Sequence, residues 1–358
     1  MMLMTYSFPT MGIVIDVPNL YYIVYDILSK IPHGKITSYK EIAKALGDIK
    51  AARAVGQIVS QNKWPEKIPC YKVIHSNGSI GKYSAEGGQK RKKQLLTHEG
   101  AIIRGDKVIN ISEMLWSYTD MGIFPVLESL KRQQEYLAFL AQKQKPLSLH
   151  FKNIAACDIA YLDKFPEIAI SCCILADFSS IKLVSISLLP LFFPYIPGYL
   201  AFREGSPILA AIENLICEKN VAPDLVILDG HGLLHPRRFG IATHIGLLLN
   251  KPSIGVAKSL LVGKVDTSKK CSFKDIFYYP VYLDGEIMGY CVEKSKRRIY
   301  VSPGYKIDVE QALSLILNLE WRNRRVPDLL AIPHDIVTRI RQSLKNYLLS
   351  SLKNKELL

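Results

Sequence analysis

The segment DLVILDGHGLLHPRRFGIATHIG occupies residues 224–246, in the second half of the chain. Its apolar run LVIL ends at Asp229 and a glycine follows, which is the pattern of a buried strand that leads into a turn. Three further runs of this kind precede it: IAACDIAYL at 154–162, IAISCCILADF at 168–178 and KLVSISLLPL at 182–191. Because these strand-like runs alternate with helical segments, the sequence predicts an α/β sheet.

Three acidic residues accompany these runs. Asp158 lies inside an apolar strand, Asp229 ends one, and Glu204 ends the loop PYIPGYLAFRE. Carboxylates in such places are costly unless they are paired or bind a metal, and Mg²⁺ prefers hard oxygen ligands. The three acids therefore predict a site for Mg²⁺, with Mn²⁺ as an alternative. Single members also have a structural explanation, since Glu204 could pair with Arg203 and Asp-Gly is a common turn sequence.

The first 115 residues have a different pattern, that of short helices. Apolar residues recur at helical spacing before Gly34, and TSYKEIAKALG at 37–47 has Ser38 as a helix cap and a closing glycine. A second short helix is predicted in AARAVGQIVSQN at 51–62. Two short helices with a glycine-containing turn form either an ordinary helical hairpin or a DNA-binding helix-turn-helix, and the helices alone leave both interpretations open.

A candidate nucleophile follows these helices in NKWPEKIPCYKVIHSNGSIGKYSAEGG, residues 62–88. Cys70 comes directly after a proline and is surrounded in sequence by Lys63, Lys67 and Lys72. The thiolate is the reactive form of cysteine, and nearby positive charge stabilises it. A buried, inert cysteine is the alternative that this local sequence leaves open.

The strings AARAV, IPC, GKYS and LLTHEG, together with Asn62, closely resemble the C-terminal, DNA-binding domain of O6-alkylguanine-DNA alkyltransferases over residues 19–108. The resemblance implies a small, mostly α, winged-helix-like domain that extrudes a guanine from DNA and transfers its alkyl group to Cys70. Further roles are carried over by position. The resemblance implies that Asn62 braces the active-site turn and that Glu99 is the acid that helps to deprotonate the cysteine. It also implies that Tyr39 contacts the phosphate, that Arg53 enters the base stack, and that Tyr83 and Ser84 form the lesion pocket.

One departure from that family concerns the residue after the nucleophile. Relatives usually have a histidine that links the cysteine to the glutamate through water, whereas this chain has Tyr71, a poorer proton relay because a phenol titrates near pH ~10. An alternative is therefore a non-catalytic lesion sensor that delivers the second domain to DNA. Because Cys70 is present, the sequence favours true alkyl transfer.

The DG…HPRR…G.A.H.G pattern and PYIPGYLAFRE closely resemble endonuclease V, a nuclease that acts at deaminated purines, from Val126 to Leu344. The resemblance implies a ribonuclease H-like α/β fold and nicking at the second phosphodiester 3′ to the damaged base. By position, the resemblance implies that Asp158, Glu204, Asp229 and His334 bind Mg²⁺ and that Lys258 stabilises charge. It also implies that Tyr195 acts as a wedge and that the hypoxanthine pocket lies near Gly198 and Leu200. His235 and Arg237 would contact the DNA backbone. Inosine in RNA is the alternative substrate.

Composition agrees with nucleic-acid partners. The 46 Lys and Arg against 32 Asp and Glu leave a net charge of +14, which favours polyanions, and 49% hydrophobic residues exclude a disordered chain. We predict an alkyltransferase-like domain at 1–115, a linker at 116–125 and an endonuclease V domain at 126–358, acting as a monomer on damaged DNA.

The cysteines and the longest uncharged run bear on the compartment. Seven cysteines without a CxxC pair predict neither a disulfide framework nor a zinc site, which favours a reducing, cytoplasmic location. The uncharged run 183–202 contains three prolines, so we predict a buried strand and a rigid loop, and no membrane segment. A basic amphipathic helix is predicted from about Asp335 to the end.

Overall fold

The computed structural model describes residues 3–8, 13–147, 151–162, 166–177, 180–322 and 324–355. By internal contacts the chain forms two compact units. The first comprises Met1–Thr5, Asp16–Gln133 and Phe192–Tyr199, and the second comprises Tyr6–Ile15, Gln134–Leu191 and Leu200–Leu358. The domain boundaries that the sequence suggests at 115 and 126 stay a prediction.

Short helices and two-residue strands form the first unit. Near the N-terminus, β1 (Leu3–Phe8) and β2 (Ile13–Pro18) pair with each other, and each strand has residues in both units. The helices that follow are α1 (Leu20–Ser29), α2 (Tyr39–Ala45), α3 (Ala52–Ser60), α4 (Gly88–His98) and α5 (Ile111–Met114). The short strands are β3 (Thr37–Ser38) with β4 (Val73–Ile74), and β5 (Ile103–Arg104) with β6 (Lys107–Val108).

The two predicted helices after Gly34 are confirmed, and the ends of α2 are fixed by the residues that predicted them. Ser38 Oγ accepts a hydrogen bond from the backbone N–H of Glu41 at 3.1 Å, which satisfies one of the free donors at the start of α2. Gly47 has φ +101°, and a Cβ there would lie 2.8 Å from the backbone nitrogen of Glu128. Only glycine meets both requirements, so the chain turns there into α3.

A ten-stranded mixed sheet forms the second unit, in the order β12-β14-β15-β16-β11-β10-β7-β8-β9, with β13 paired to β14. The strands are β7 (Ile154–Leu162), β8 (Glu167–Ala176), β9 (Ile181–Leu191), β10 (Leu225–Asp229), β11 (Ser253–Ala257), β12 (Lys264–Val265), β13 (Cys271–Phe273), β14 (Ile276–Leu283), β15 (Glu286–Lys294) and β16 (Arg297–Tyr305). The central strands β7, β10 and β11 are parallel, and the flanking pairs are antiparallel.

Helices pack on this sheet and bury its apolar faces. They are α7 (Leu200–Lys219), α8 (Ile241–Leu249), α9 (Val309–Asn318) and α10 (Asp328–Lys355). A further helix, α6 (Val126–Gln142), begins in the first unit and ends in the second. Ala156 and Ala160 of β7 share a core cluster with Leu330 and Val337 of α10, whereas α7 packs against β8 and β9. The predicted α/β sheet is therefore confirmed.

Three sequence predictions differ from the fold. Glu204 lies in α7 and not at the end of a loop. The C-terminal helix begins at Asp328, seven residues before the predicted start, and includes Pro333. The strand predicted as buried is the edge strand β9, in which only the face that carries Ser185 and Ser187 is buried, against α7, whereas Val184, Ile186 and Leu188 are exposed on the other face. Phe178, the last residue of one predicted strand, lies outside the described residues.

One disulfide is present that the cysteine spacing does not predict. Cys157 of β7 and Cys173 of β8 stand directly opposite each other in the antiparallel register and are bonded, with their Cα atoms 4.1 Å apart. The pairing depends on the register of two strands, which the spacing of cysteines in the sequence does not show. In the described part of the chain, no helix is long and apolar enough to cross a bilayer.

Candidate active sites

Cys70 begins a short 3₁₀ turn that is held from behind by Asn62. The Asn62 side chain donates to the carbonyl of Ile68 at 2.9 Å and accepts from the N–H of Trp64 at 3.0 Å. These two bonds tie the segment before the cysteine into a fixed loop. The Cys70 side chain is 3% exposed, so the thiol is shielded from bulk water.

Polar side chains surround this buried thiol. Tyr25, Tyr39, Tyr83 and Lys92 all interact electrostatically with Cys70. Lys92 is 1% exposed, and its ammonium donates to the carbonyl of Val73 at 2.7 Å. Burial lowers the pKa of Lys92 to about 8, against a smaller opposing effect from Cys70.

A groove of about 980 Å³ opens beside this cluster. Tyr39, Arg53 and Tyr83, three of the predicted DNA-contacting residues, line it together with His75, whose ring lies 5.2 Å from that of Tyr39. Ser84 is exposed and does not line the groove. A groove with phenols and a guanidinium is suited to a phosphate backbone and an unstacked base.

Glu99, the acid predicted to help deprotonate Cys70, is held by three donors. Its Oε1 accepts from the Tyr71 hydroxyl at 2.8 Å and pairs with the Lys72 ammonium at 2.9 Å, while Oε2 accepts from the Gly34 N–H at 2.7 Å. Burial opposes ionisation, but the bonds from Lys72, Gly34 and Tyr71 outweigh it and lower the pKa of Glu99. Burial and the bond to Glu99 raise the pKa of Tyr71, so this phenol is a donor and not a base.

The three predicted metal ligands lie on different elements of the second unit. Asp158 is in the middle of β7, Asp229 is the last residue of β10, and Glu204 is in the second turn of α7. Burial, and then the charge of Asp229, raise the pKa of Asp158. Burial raises the pKa of Glu204 to about 7, and the charges of Asp229 and Asp158 add to that effect. The three carboxylates are therefore close enough to repel one another.

Each of these carboxylates has an internal partner. The Lys258 ammonium lies 2.5 Å from Asp229 Oδ2, and His334 Nδ1 lies 2.6 Å from Asp158 Oδ2. The Tyr161 hydroxyl donates to Glu204 Oε1. With these contacts in place, no group of three or more His, Cys, Asp or Glu side chains in the described ranges is arranged to hold a metal ion.

The donor set nevertheless fits a hard divalent cation. Asp158, Glu204 and Asp229 supply oxygen, the pKa values of Asp158 and Glu204 are raised by burial and mutual repulsion, and a bound cation would relieve both costs. His334 contacts Asp158 and could act as a further ligand. These four residues could hold the metal once the contacts of Lys258 with Asp229 and of His334 with Asp158 open.

The remaining predicted DNA contacts differ in exposure. Tyr195 is 55% exposed, whereas His235 is 4% exposed. Arg237 is partly buried, and its Nε donates to Gln134 at 2.7 Å. Gly198 has φ +85°, which favours glycine, and Leu200 begins α7 beside Gly230.

Sequence reasoning missed the residues that hold the predicted site residues in place. Tyr161 donates to Glu204, Glu167 pairs with Arg203, which the sequence offered as a partner of Glu204, and Gln134 holds Arg237. The signal for Tyr161 was a tyrosine in the same strand as Asp158, but its partner lies on a helix that is distant in sequence.

Two family models match separate parts of the chain. The Endonuclease V model matches residues 135–334, and the model of the 6-O-methylguanine DNA methyltransferase DNA-binding domain matches residues 19–101. A Bifunctional methyltransferase/endonuclease of Picrophilus torridus is 36% identical over 325 residues, which is 91% of this chain and 98% of that protein.

Solved structures share the fold of the second unit. Endonuclease V from Bacillus subtilis superposes with a TM-score of 0.56 at 24% identity, over 62% of this chain and 94% of that one. Ciona intestinalis Endonuclease V, in complex with a 24mer DNA that contains an inosine followed by a ribo-adenosine, has a TM-score of 0.53 at 24% identity, over 61% and 98%. The chain belongs to the family of bifunctional methyltransferase/endonuclease enzymes, in which an alkyltransferase DNA-binding domain is joined to an Endonuclease V domain.

Proposed function

We propose that this DNA-repair enzyme carries two independent activities. One is the stoichiometric transfer of an alkyl group from O6-alkylguanine in DNA to Cys70. The other is Mg²⁺-dependent nicking of DNA at the second phosphodiester 3′ to a deaminated base such as hypoxanthine. The observation that carries the proposal is the match to a bifunctional relative over 91% of the chain, with a shielded thiol in one unit and three repelling carboxylates in the other.

In the alkyl transfer, Sγ of Cys70 attacks the alkyl carbon of an extruded guanine. A carbon–sulfur bond forms, the bond from that carbon to O6 breaks, and its electrons and a proton go to the guanine. The buried thiol beside the groove supports direct displacement in a site that excludes water. Asn62 holds the loop that carries the nucleophile, and the ionised Glu99 helps to deprotonate Cys70.

Several residues in or near the groove have proposed roles in the extrusion of the base. Arg53 takes the place of the extruded base in the stack, Tyr39 presses on its phosphate, and Tyr83 and Ser84 contact the lesion. The groove position of Tyr39, Arg53 and Tyr83 supports these roles. We assign residues 19–101 a winged-helix-like arrangement because they match the alkyltransferase DNA-binding domain.

In the nicking reaction, Asp158, Glu204, Asp229 and His334 hold the cation. A divalent ion supplies an activated water and stabilises charge on the scissile phosphate. Lys258 offsets negative charge that develops on the phosphate, and the contact of its ammonium with Asp229 supports this role. Tyr195 opens the duplex, hypoxanthine is held by backbone near Gly198 and Leu200, and His235 and Arg237 contact the DNA backbone. The central strands of the sheet support a ribonuclease H-like fold.

Transfer of tritiated methyl from O6-methylguanine DNA to the full chain tests the first activity. We expect label on the wild type and none on Cys70→Ala. Cys291→Ala is the matched control, because Cys291 is also a buried free cysteine. An unlabelled wild type would reject transfer and favour the lesion-sensor alternative, which Tyr71 in place of the usual histidine suggests.

Nicking of matched hypoxanthine-containing DNA and inosine-containing RNA tests the second activity. We expect Asp229→Ala to lose nicking of DNA and to keep methyl transfer, and Cys70→Ala to do the reverse. Asp284→Ala is the control, since this acid pairs with Arg238 at the surface. Preferential cutting of the RNA strand would reject DNA as the main substrate, and loss of both activities from one substitution would reject independent sites.

A further inference from the structure

A chain of four side chains leads from the interior of the second unit to Glu204. Glu167 pairs with Arg203 at 2.7 Å, and their side chains are only 11% and 6% exposed. The Arg203 guanidinium lies 4.4 Å from the centre of the Tyr161 ring and also hydrogen-bonds its hydroxyl. The Tyr161 hydroxyl in turn donates to Glu204 Oε1.

The strand geometry shows why this chain matters for the carboxylates. Asp158 and Tyr161 are three residues apart in β7, so their side chains point to opposite faces of the strand. Tyr161 therefore faces α7, the helix that carries Glu204. Strand β7 therefore supplies one predicted ligand, Asp158, and through Tyr161 also holds a second one, Glu204, which lies on α7.

The physical need for such a holder is the repulsion among the acids. Asp158 and Asp229 both disfavour a charged Glu204, so an unrestrained carboxylate would turn away from them. The hydrogen bond from Tyr161 restrains Oε1 of Glu204 and does not involve its Oε2. A buried Arg–Glu pair contributes little net stability after its desolvation cost, so the pair of Arg203 and Glu167 is better explained by orientation than by stability.

We propose that Tyr161 is a positioning residue of the nuclease site, whose hydroxyl fixes the carboxylate of Glu204 for a divalent cation. Arg203, anchored by Glu167, fixes the Tyr161 ring. The inference rests on the metal-dependent nicking proposed above. Partners that orient metal ligands typically affect metal affinity by about 10–100-fold, which sets the expected size of the effect.

The test is the dissociation constant for Mn²⁺, measured on the full chain without DNA from the electron paramagnetic resonance signal of the free ion. Tyr161→Phe keeps the ring and its contact with Arg203 but removes the hydroxyl, so we expect Mn²⁺ binding to weaken about tenfold. Tyr290→Phe is the matched control, because the Tyr290 hydroxyl donates to Glu310 Oε1 at 2.7 Å in the same unit. It removes an equivalent tyrosine–glutamate bond and should leave Mn²⁺ affinity unchanged.

A second readout separates orientation from loss of structure. Nicking by Tyr161→Phe should recover towards the wild-type kcat at saturating Mn²⁺, and methyl transfer should be unaffected. Equal Mn²⁺ affinity in wild type and Tyr161→Phe, or equal weakening in Tyr161→Phe and Tyr290→Phe, would overturn the role of Tyr161 alone. A wild type that binds no Mn²⁺ would overturn the metal-dependent nicking itself, and the inference with it.

Discussion

The ammonium of Lys258 lies 2.5 Å from Asp229 Oδ2. Lys258 thus contacts one oxygen of a carboxylate that is also a proposed ligand of the cation. Lys258 acts electrostatically on Asp158 as well as on Asp229, so this internal cation partly offsets the repulsion between these two acids. A bound divalent ion and Lys258 would compete for Asp229, and the lysine would be released towards the phosphate when the ion binds.

Lys258→Gln should therefore have opposite effects on catalysis and on metal binding. We expect kcat for nicking to fall about 100-fold, since charge stabilisation at the phosphate is lost. We expect Mn²⁺ affinity to rise, because Asp229 loses its competing cation. Nicking rates and Mn²⁺ titration measure the two effects. Lys269→Gln, at an exposed lysine of the same unit, is the control, and weaker Mn²⁺ binding in Lys258→Gln would contradict the competition.

Tyr195 belongs to a loop that is fixed at both ends. The carbonyl of Phe192 accepts from the N–H of Leu20 at 3.1 Å, and the hydroxyl of the fully buried Tyr199 donates to Asp48 Oδ2 at 2.8 Å. The tyrosine between them is 55% exposed. A rigid loop with an exposed aromatic ring is suited to insertion between base pairs.

Tyr195→Ala should lower the rate of nicking at a hypoxanthine site much more than it lowers the affinity for undamaged DNA. The reason is that a wedge contributes only where the duplex is opened, whereas nonspecific affinity comes from phosphate contacts. Nicking assays and binding to an unmodified duplex at one salt concentration give the comparison. Tyr136→Ala, at another exposed tyrosine, is the control. Equal losses in both assays would reject the wedge.

The sequence predicts best those features that depend on neighbouring residues. Ser38 caps α2 through the N–H of Glu41, three residues away, and Asp229 ends β10 where the apolar run ends. Both are local patterns, so burial and capping chemistry are sufficient to predict them. The central strands, the candidate nucleophile and the candidate carboxylate site can all be predicted from such local patterns.

The features that the sequence did not predict depend on register and on distant partners. Cys157 meets Cys173 only because β7 and β8 pair in one particular register. Tyr161 meets Glu204 only because α7 packs beside β7. Helix α10 extends back to Asp328 through Pro333, where an interior proline normally suggests a boundary. Tertiary contacts decide each of these, and local spacing does not contain them.

Lys92 predicts a pH dependence of stability in the first unit. Its pKa is about 8 in the folded chain. In the unfolded chain a lysine has a pKa of ~10.4, so between these two values the unfolded state binds the proton and the folded state does not. The free energy of unfolding should therefore rise with pH over this window, by up to about 3 kcal/mol relative to its value below the window.

The comparison of wild type with Lys92→Met isolates this effect. The methionine variant also leaves the Val73 carbonyl without its donor, but that cost does not depend on pH. Urea unfolding followed by the fluorescence of Trp64 and Trp116, in a Trp321→Phe background for both proteins, reports on the first unit. The difference in unfolding free energy should grow as pH rises through the window, and parallel curves would show that Lys92 is not responsible.

Tyr71 provides the sharpest test of how the thiol is activated. Its hydroxyl donates to Glu99 Oε1 at 2.8 Å, and burial raises the pKa of Tyr71 above its ordinary value, so it cannot accept a proton near neutral pH. Glu99 keeps two other donors, Lys72 and Gly34, when this hydroxyl is removed. Tyr71→Phe should therefore transfer methyl at the wild-type rate.

Tyr71→His should instead accelerate transfer, because imidazole titrates near pH ~6.5 and can accept the proton of Cys70. We expect the second-order rate constant for methyl transfer to rise about tenfold above that pH, with a new inflection that the wild type lacks. If Tyr71→Phe slows transfer as strongly as Glu99→Gln does, the phenol itself acts as the relay to Glu99, and activation of Cys70 then proceeds through Tyr71 after all.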